Sequence, residues 1–358
     1  MKNQIGNNIS MTLFGESHGP CIGITLDGLP AGFKIDEERI RQDMNQRKAK
    51  GKISTQRHEE DKVEIVSGYF EGYTTGSALT ILIQNQNTRS ADYKKTQYRL
   101  RPGHSDYTAY EKYKVFQDYR GGGHFSGRLT APIVFAGAIC KQILATKGIH
   151  IYSHVLSIKD IKDDHFSVNI TDEQLEALAK KEFSVLSDEK IEAMRELILS
   201  ARKNRNSVGG KIECMIKGVP AGIGSPFFDS LESRMSTLFF SIPAVKSVSF
   251  GDLDDITQYY GSEANDAYYY DGEIVKTKTN HNGGIIGGIT NGMPILFTLG
   301  IKPTSSIALE QDTINVETHE NTKLAIVGRH DPCIAMRAPS VVEAMAAIAI
   351  MDEVIYYQ

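Results

Sequence analysis

Three short segments set histidine beside groups that handle protons or anions. They are Gly15-Glu16-Ser17-His18-Gly19, Arg101-Pro102-Gly103-His104-Ser105-Asp106 and Gly328-Arg329-His330-Asp331-Pro332-Cys333. Glycine and proline hold such segments in turns, so their side chains project from a defined backbone. Ser17 and His18 do not read as a nucleophile and its base. Neighbours on a strand face opposite ways, and no oxyanion donors accompany them. A histidine that gives a proton or hydrogen bond to a leaving phosphate fits better. His104 is compatible with donation to a phosphate and with simple exposure, and Asp106 with orienting it or capping a turn. Asp331 precedes a proline, the usual place for a turn cap. As a general base it needs burial or a tuned partner.

The cations are concentrated locally. The formal net charge is −4 over 358 residues, so the molecule is no nucleic-acid polycation. Yet residues 39–57 carry Arg39, Arg41, Arg47, Lys48, Lys50, Lys52 and Arg57 against Asp43 alone. This block reads either as a solvated basic loop or as an anion site. Aromatic residues do not interleave it, which disfavours stacking on bases. A second anion signal is Gly121-Gly122-Gly123, followed by His124, Phe125, Ser126 and Arg128 before an apolar helix. Glycine N–H groups and a helix start suit a phosphate. The run lacks the Gly-Lys-Ser/Thr ending of a P-loop and the spacing of a dinucleotide fingerprint. Lys302-Pro303-Thr304-Ser305-Ser306 offers a cation and hydroxyls in a proline-fixed loop, equally consistent with a binding loop and a plain turn.

These segments need elements to position them. Cys21–Leu26, Asp61–Ser67, Ser77–Asn85, Gly210–Ile216 and Val245–Phe250 read as strands. Asp36 suits the N-cap of a helix running to about Gln46. Thr130 suits the N-cap of an apolar helix ending near Gly148, and Ala338-Pro339 opens a second, Val341–Ile355. Apolar on all sides, both are expected to be buried. Residues of about 158–205 form a charged helical excursion, with helices at Asp172–Lys181 and Asp188–Lys203. Strands in both halves without sustained β-α alternation give an α+β layered architecture in a single domain over 1–358.

Apolar residues make up 41% and charged residues 23%, which indicates a globular chain rather than a disordered one. The four cysteines form no C-x-x-C pair, so no zinc or other metal site is expected. The N-terminus lacks an apolar signal core, and the longest apolar runs read as too broken to span a bilayer. A cytoplasmic enzyme with no membrane or nucleic-acid partner is the expectation.

The three histidine segments, in this order, resemble the signatures of the chorismate synthases, and the similarity extends along essentially the whole chain. The resemblance implies a sandwich of helices between antiparallel sheets, assembled as a homotetramer. It implies 1,4-anti elimination of phosphate from 5-enolpyruvylshikimate 3-phosphate, giving chorismate, with reduced FMN and no net redox change. By the same resemblance Asp331 accepts the C6 proton, His18 lies near the leaving phosphate and His104 protonates reduced flavin. Ser17 and Ser126 belong to the proton-relay region. Arg47, Arg57, Arg101, Arg128 and Arg329 match substrate positions. Lys52, His124, Phe125, Ser126, Pro243, Ala244, Gly287, Lys302, Pro303, Thr304, Ser305, Ser306 and Arg329 match FMN positions.

The chain also departs from the family pattern. Gly122–Thr130 reads Gly-Gly-His-Phe-Ser-Gly-Arg-Leu-Thr, so His124 and Phe125 stand where Arg and Ser are common. Lys52 stands where Arg is usual, and Gln46-Arg47 where an Arg doublet is common. NADPH enters as an external or internal reductant, and a separate flavin reductase is the expected partner. The competing readings are another FMN-dependent reductase using the same cradle and a non-catalytic phosphate- or nucleic-acid-binding module.

Overall fold

Short alternating apolar runs pair into two antiparallel sheets. The computed structural model describes residues 2–48, 51, 53–54, 60–86, 97–326 and 331–356. The first sheet contains β1 (Gln4–Ile5), β2 (Ser10–Gly15), β3 (Cys21–Asp27), β4 (Val63–Ser67) and β5 (Leu79–Gln84), in the order β1-β2-β3-β5-β4. The second contains β6 (His150–Ile158), β7 (Ile161–Lys162), β8 (Gly210–Lys217), β9 (Val245–Phe250) and β10 (Ile295–Ile301), in the order β9-β10-β8-β6-β7. The described helices of eight or more residues are α1 (Glu37–Arg47), α2 (Asp106–Tyr113), α3 (Thr130–Thr146), α4 (Asp172–Ala179), α5 (Glu189–Lys203), α6 (Leu231–Phe239) and α7 (Pro339–Val354).

Helices α3 and α7 fill the space between the sheets. Helix α3 touches β3 and β5 on one side, and α7 touches β6 and β8 on the other. This is the expected α+β sandwich of helices between antiparallel sheets. The two helices approach closely because Gly137 has no side chain. A Cβ there would lie 2.3 Å from the Cα of Ala344. Nearly all of both helices is buried, as their continuous apolar composition requires.

The stretch Gly127–Thr146 is long and apolar enough to cross a membrane by length and composition, contrary to the sequence reading. However, 83% of it is buried inside the fold, as a core helix would be. Asp36 caps α1 as expected, accepting from Glu38 N at 3.0 Å and Arg39 N at 3.2 Å. Thr130 does not cap α3. Leu129 holds the N-cap position, and the Thr130 hydroxyl donates to Gly127 O at 2.6 Å.

The charged excursion covers the outer face of the second sheet. Leu175 and Leu178 of α4 join Tyr152, Phe166, Met215 and Leu296 in a separate apolar cluster. Strand β6 is therefore buried along almost its whole length, and its sequence shows no alternation to read. Buried charge links the excursion to the sheet. His154 lies opposite Glu213 on β8, with Nε2 2.9 Å from that carboxylate and Nδ1 3.0 Å from Asp163. Asp163 also accepts from Leu186 N and Ser187 N, and Glu213 also meets His165. Burial opposes a charge on His154, but the two carboxylates raise its pKa overall.

Asp352 near the end of α7 performs a similar tie. It accepts from the backbone N–H groups of Asn7, Asn8 and Ile9 and pairs with Arg234 of α6.

The Gly137–Ala344 contact leads to a stability prediction. Gly137→Val should destabilise the protein by about 1–3 kcal/mol, the usual cost of overpacking a dense core. Urea unfolding measures this. An unchanged midpoint would mean that α3 and α7 separate without penalty.

Candidate active site

Both core helices begin at one cavity of about 530 Å³. Arg128 and Thr130 line it at the start of α3, and Asp331, Arg337, Ala338 and Val341 line it ahead of and within α7. Helix starts carry partial positive charge, so this end of the layer favours anions. The remaining walls come from the end of α1, the loop before α2, the 121–128 segment, and the loops flanking β9 and β10.

Each guanidinium described in this cavity has a carboxylate near it. Asp61 lies between Arg47 and Arg128. Its Oδ2 accepts from Arg47 Nη2 at 2.6 Å and its Oδ1 from Arg128 Nη1. All three side chains are at most 6% exposed. Burial pulls Arg47 down to about 10, although Asp61 works against it. Burial would raise Asp61, but the two arginines outweigh it and hold the carboxyl below its usual range.

Arg101 and Asp106 form a two-pronged pair, at 2.7 Å from both Nε and Nη2. His104 Nδ1 lies 2.7 Å from the same carboxylate. Asp106 therefore orients both side chains, one of the two roles open to it in the sequence. Burial raises its pKa, but Arg101 and His104 more than offset this and hold it well below the usual range.

Asp331 fills one of the two roles that its sequence left open, that of a turn cap. Its Oδ1 accepts from Cys333 N at 3.3 Å, as a turn cap does. It also lines the cavity, with Ser54 Oγ 3.3 Å from Oδ2 and Arg337 Nε 3.7 Å away. Its pKa is raised because burial outweighs the nearby Arg337. A carboxylate in this condition takes up a proton more readily than an exposed one.

The other predicted residues divide into three groups. Ser126, Phe125, Pro243, Ala244 and Lys302 to Ser306 line the cavity. The Phe125 ring lies 6.2 Å from that of Tyr113, and Lys302 Nζ donates to Gly103 O, joining two walls. Ala244 takes a left-handed φ of 74°, strain of a kind that clusters at binding sites.

Ser17, His18, His124 and Gly287 do not line the cavity. Ser17 and His18 occupy the turn between β2 and β3, buried behind Gly121, which does line it. A Cβ on Gly121 would fall 2.1 Å from His18 Cε1, and its φ is +64°, so only glycine fits against the ring. His124 turns its Nδ1 to Gly15 O at 2.8 Å, an arrangement in which that nitrogen donates. Gly287 sits in the tight turn between Ile285–Ile286 and Ile289–Thr290, away from the lining. Lys52, Arg57 and Arg329 lie outside the described residues.

The sequence reading missed Asp61 and Arg337 as site residues. An acid directly after the basic block was the available signal for Asp61. Among the described residues, no cluster of His, Cys, Asp and Glu suits a metal.

The lining carries unpaired polar atoms that bear on FMN. Arg47 Nε and Thr304 Oγ1 are buried without a hydrogen-bond partner among the described residues. Such atoms are costly unless a ligand pairs with them. With the helix starts and the Lys302–Ser306 hydroxyls, they fit a phosphate-bearing, hydrogen-bonding cofactor.

The Asp61 geometry yields a prediction. Asp61→Asn would remove the carboxylate that the two buried guanidinium groups share, and should cost about 3–5 kcal/mol of stability. Thermal unfolding at neutral pH tests it. A loss below about 1 kcal/mol would mean that another group already balances Arg47 and Arg128.

Comparison with known proteins was informative along nearly the whole chain. The family model described as chorismate synthase matches residues 9–355. A chorismate synthase of Lachnoclostridium phytofermentans is 44% identical over 350 residues, covering 97% of this chain and 93% of the relative. One from Chitinophaga pinensis is 43% identical over 350 residues, covering 98% and 96%. One from Dehalococcoides mccartyi is 40% identical over 363 residues, also covering 98% and 96%. A crystal structure of a chorismate synthase superposes with a TM-score of 0.76 at 27% identity, covering 98% of this chain and 93% of that one. The fold, the cavity at the helix starts and these matches lead to one conclusion: the chain belongs to the chorismate synthase family.

Proposed function

We propose that the chain is a carbon–oxygen lyase that eliminates phosphate from 5-enolpyruvylshikimate 3-phosphate to form chorismate, with reduced FMN bound in the cavity. One observation carries this reading. Arg47, Arg101, Arg128 and Arg337 converge with His104 and the buried Asp331 on a single cavity. A substrate with one phosphate and two carboxylates needs such a set of cations, and paired guanidinium N–H groups match each of its anionic groups.

When bound, reduced FMN supplies electron density that helps the phosphate leave and assists removal of the C6 hydrogen. Pro243, Ala244, Phe125, Ser126 and Lys302 to Ser306 would hold it. The arginines bind and orient the substrate. Asp331 accepts the C6 proton, and its raised pKa suits a carboxylate that must hold one. His104, kept in place by Asp106, would serve the cofactor as a proton donor. His18 lies behind Gly121, with Ser17 Oγ 3.1 Å from its Nδ1, and would give a proton or hydrogen bond to the leaving phosphate.

Three further features belong to this proposal. Residues 1–358 form one domain, with the excursion at about 158–205 as an ornament on it. The enzyme is cytoplasmic and takes its reducing equivalents from a separate flavin reductase or from NADPH. It assembles as a homotetramer. Exposed Phe227, Phe228, Tyr260 and Tyr270 supply apolar surface for self-association.

Anaerobic assay with chemically reduced FMN and the enolpyruvyl substrate tests the reading. Chorismate and phosphate should form in equal amounts. FMN that oxidises NADPH while the substrate stays intact would overturn it in favour of a reductase.

Asp331→Asn separates catalysis from stability. Turnover should fall about a hundredfold or more, as for a lost general base, with FMN and substrate affinity nearly unchanged. The native state holds a proton on Asp331 above the usual carboxylate range, where the unfolded chain has lost it. Parent stability relative to the variant should therefore decline as pH rises through that window. Paired melting curves from acid to neutral pH measure this. Parent-like turnover would reduce Asp331 to a turn cap.

A further inference from the structure

Asn85 follows β5, whose last residue, Gln84, pairs with Cys21 at the start of β3. This places Asn85 beside the turn that carries Ser17 and His18. Its backbone N–H donates to Pro20 O at 3.1 Å. Its side-chain Nδ2 donates to Glu16 O and Gly19 O, both at 2.9 Å. These two carbonyls bracket Ser17-His18. The opposite end of the same amide, Oδ1, accepts from Arg128 Nε at 3.3 Å. The amide orientation follows from its partners, since two carbonyls need a donor and a guanidinium needs an acceptor.

The turn is tied elsewhere as well. Ser17 N donates to Gly123 O at 3.1 Å, and His124 holds Gly15 O. Those ties come from the glycine segment alone. Among the described contacts, the Asn85 side chain joins the His18 turn to a cavity arginine.

We propose that Asn85 is a positioning residue, which fixes the His18 turn and the Arg128 guanidinium relative to one another. It does not line the cavity and acts through the two groups it holds. The proposal rests on the functional reading of His18 and Arg128 given above. An amide suits this task because it presents a donor and an acceptor on one rigid plane. A carboxylate or a hydroxyl cannot serve both sides in the same way.

Asn85→Asp tests this, since it keeps the acceptor for Arg128 while facing oxygen against the Glu16 and Gly19 carbonyls. Two readouts are needed. Hydrogen exchange of peptides spanning the 15–20 turn should quicken at least tenfold, while the melting temperature stays near that of the parent. Turnover should fall about tenfold to a hundredfold with KM for the substrate within about threefold, as expected when a group near the reaction is misplaced by around 1 Å. Exchange at the parent rate would overturn the proposal. Faster exchange with parent turnover would support the positioning and overturn the role given to His18. Should the Asp variant fail to fold, Asn85→Ser gives the same readouts. It is too short to reach the carbonyls and adds no charge.

Discussion

A buried cavity that concentrates guanidinium groups is stable only if the protein supplies the opposing charge. Asp61 does so for Arg47 and Arg128, and Asp106 does so for Arg101. Isolated cations in such a place would incur a large desolvation cost. The same pairing fixes the directions of the side chains. Asp106 holds Arg101 and His104 with one carboxylate, so the two side chains cannot move independently. Asp331 differs from these two. Its cation, Arg337, is farther away, and burial prevails. The acid with the weakest compensation is thus the one whose proposed role is to take up a proton.

The helix layer brings these pairs together. Arg128 precedes α3 and Arg337 precedes α7, and the close contact of Gly137 with Ala344 keeps the two helices side by side. A small residue inside the core therefore governs the separation of charges at its edge. The sheets fix the rest. The turn after β2 carries His18, and β5 places Asn85 against that turn. Elements distant in sequence are joined by tight backbone approaches that bulkier residues would prevent, as at Gly121 against the His18 ring.

The replacement of Arg and Ser by His124 and Phe125 has a physical consequence in this chain. His124 is engaged with the Gly15 carbonyl, so it supports the turn before His18 rather than the cavity. Phe125 faces the cavity and presents an apolar wall there. One member of the pair has become a support for the site and the other part of its surface.

Much of this was legible in the sequence. The two core helices were readable because they are apolar on every side, and a helix has no other place to put such a surface. The Asp36 cap, strands β3, β4 and β5 of the first sheet and the α+β class followed from local propensities and alternation. The proton-handling groups and the anion-binding segments stood out by residue type and spacing. Tertiary structure alone decided three things. Strands β6 and β10 escaped notice because burial on both faces removes the period-two pattern. The carboxylate partner of Arg47 and Arg128 could not be assigned, because Asp61 reaches them only through the folded loop before β4. The positions of His18, His124 and Gly287 relative to the cavity were equally hidden. A motif fixes which groups are present, but the face that each one meets depends on contacts between residues far apart along the chain.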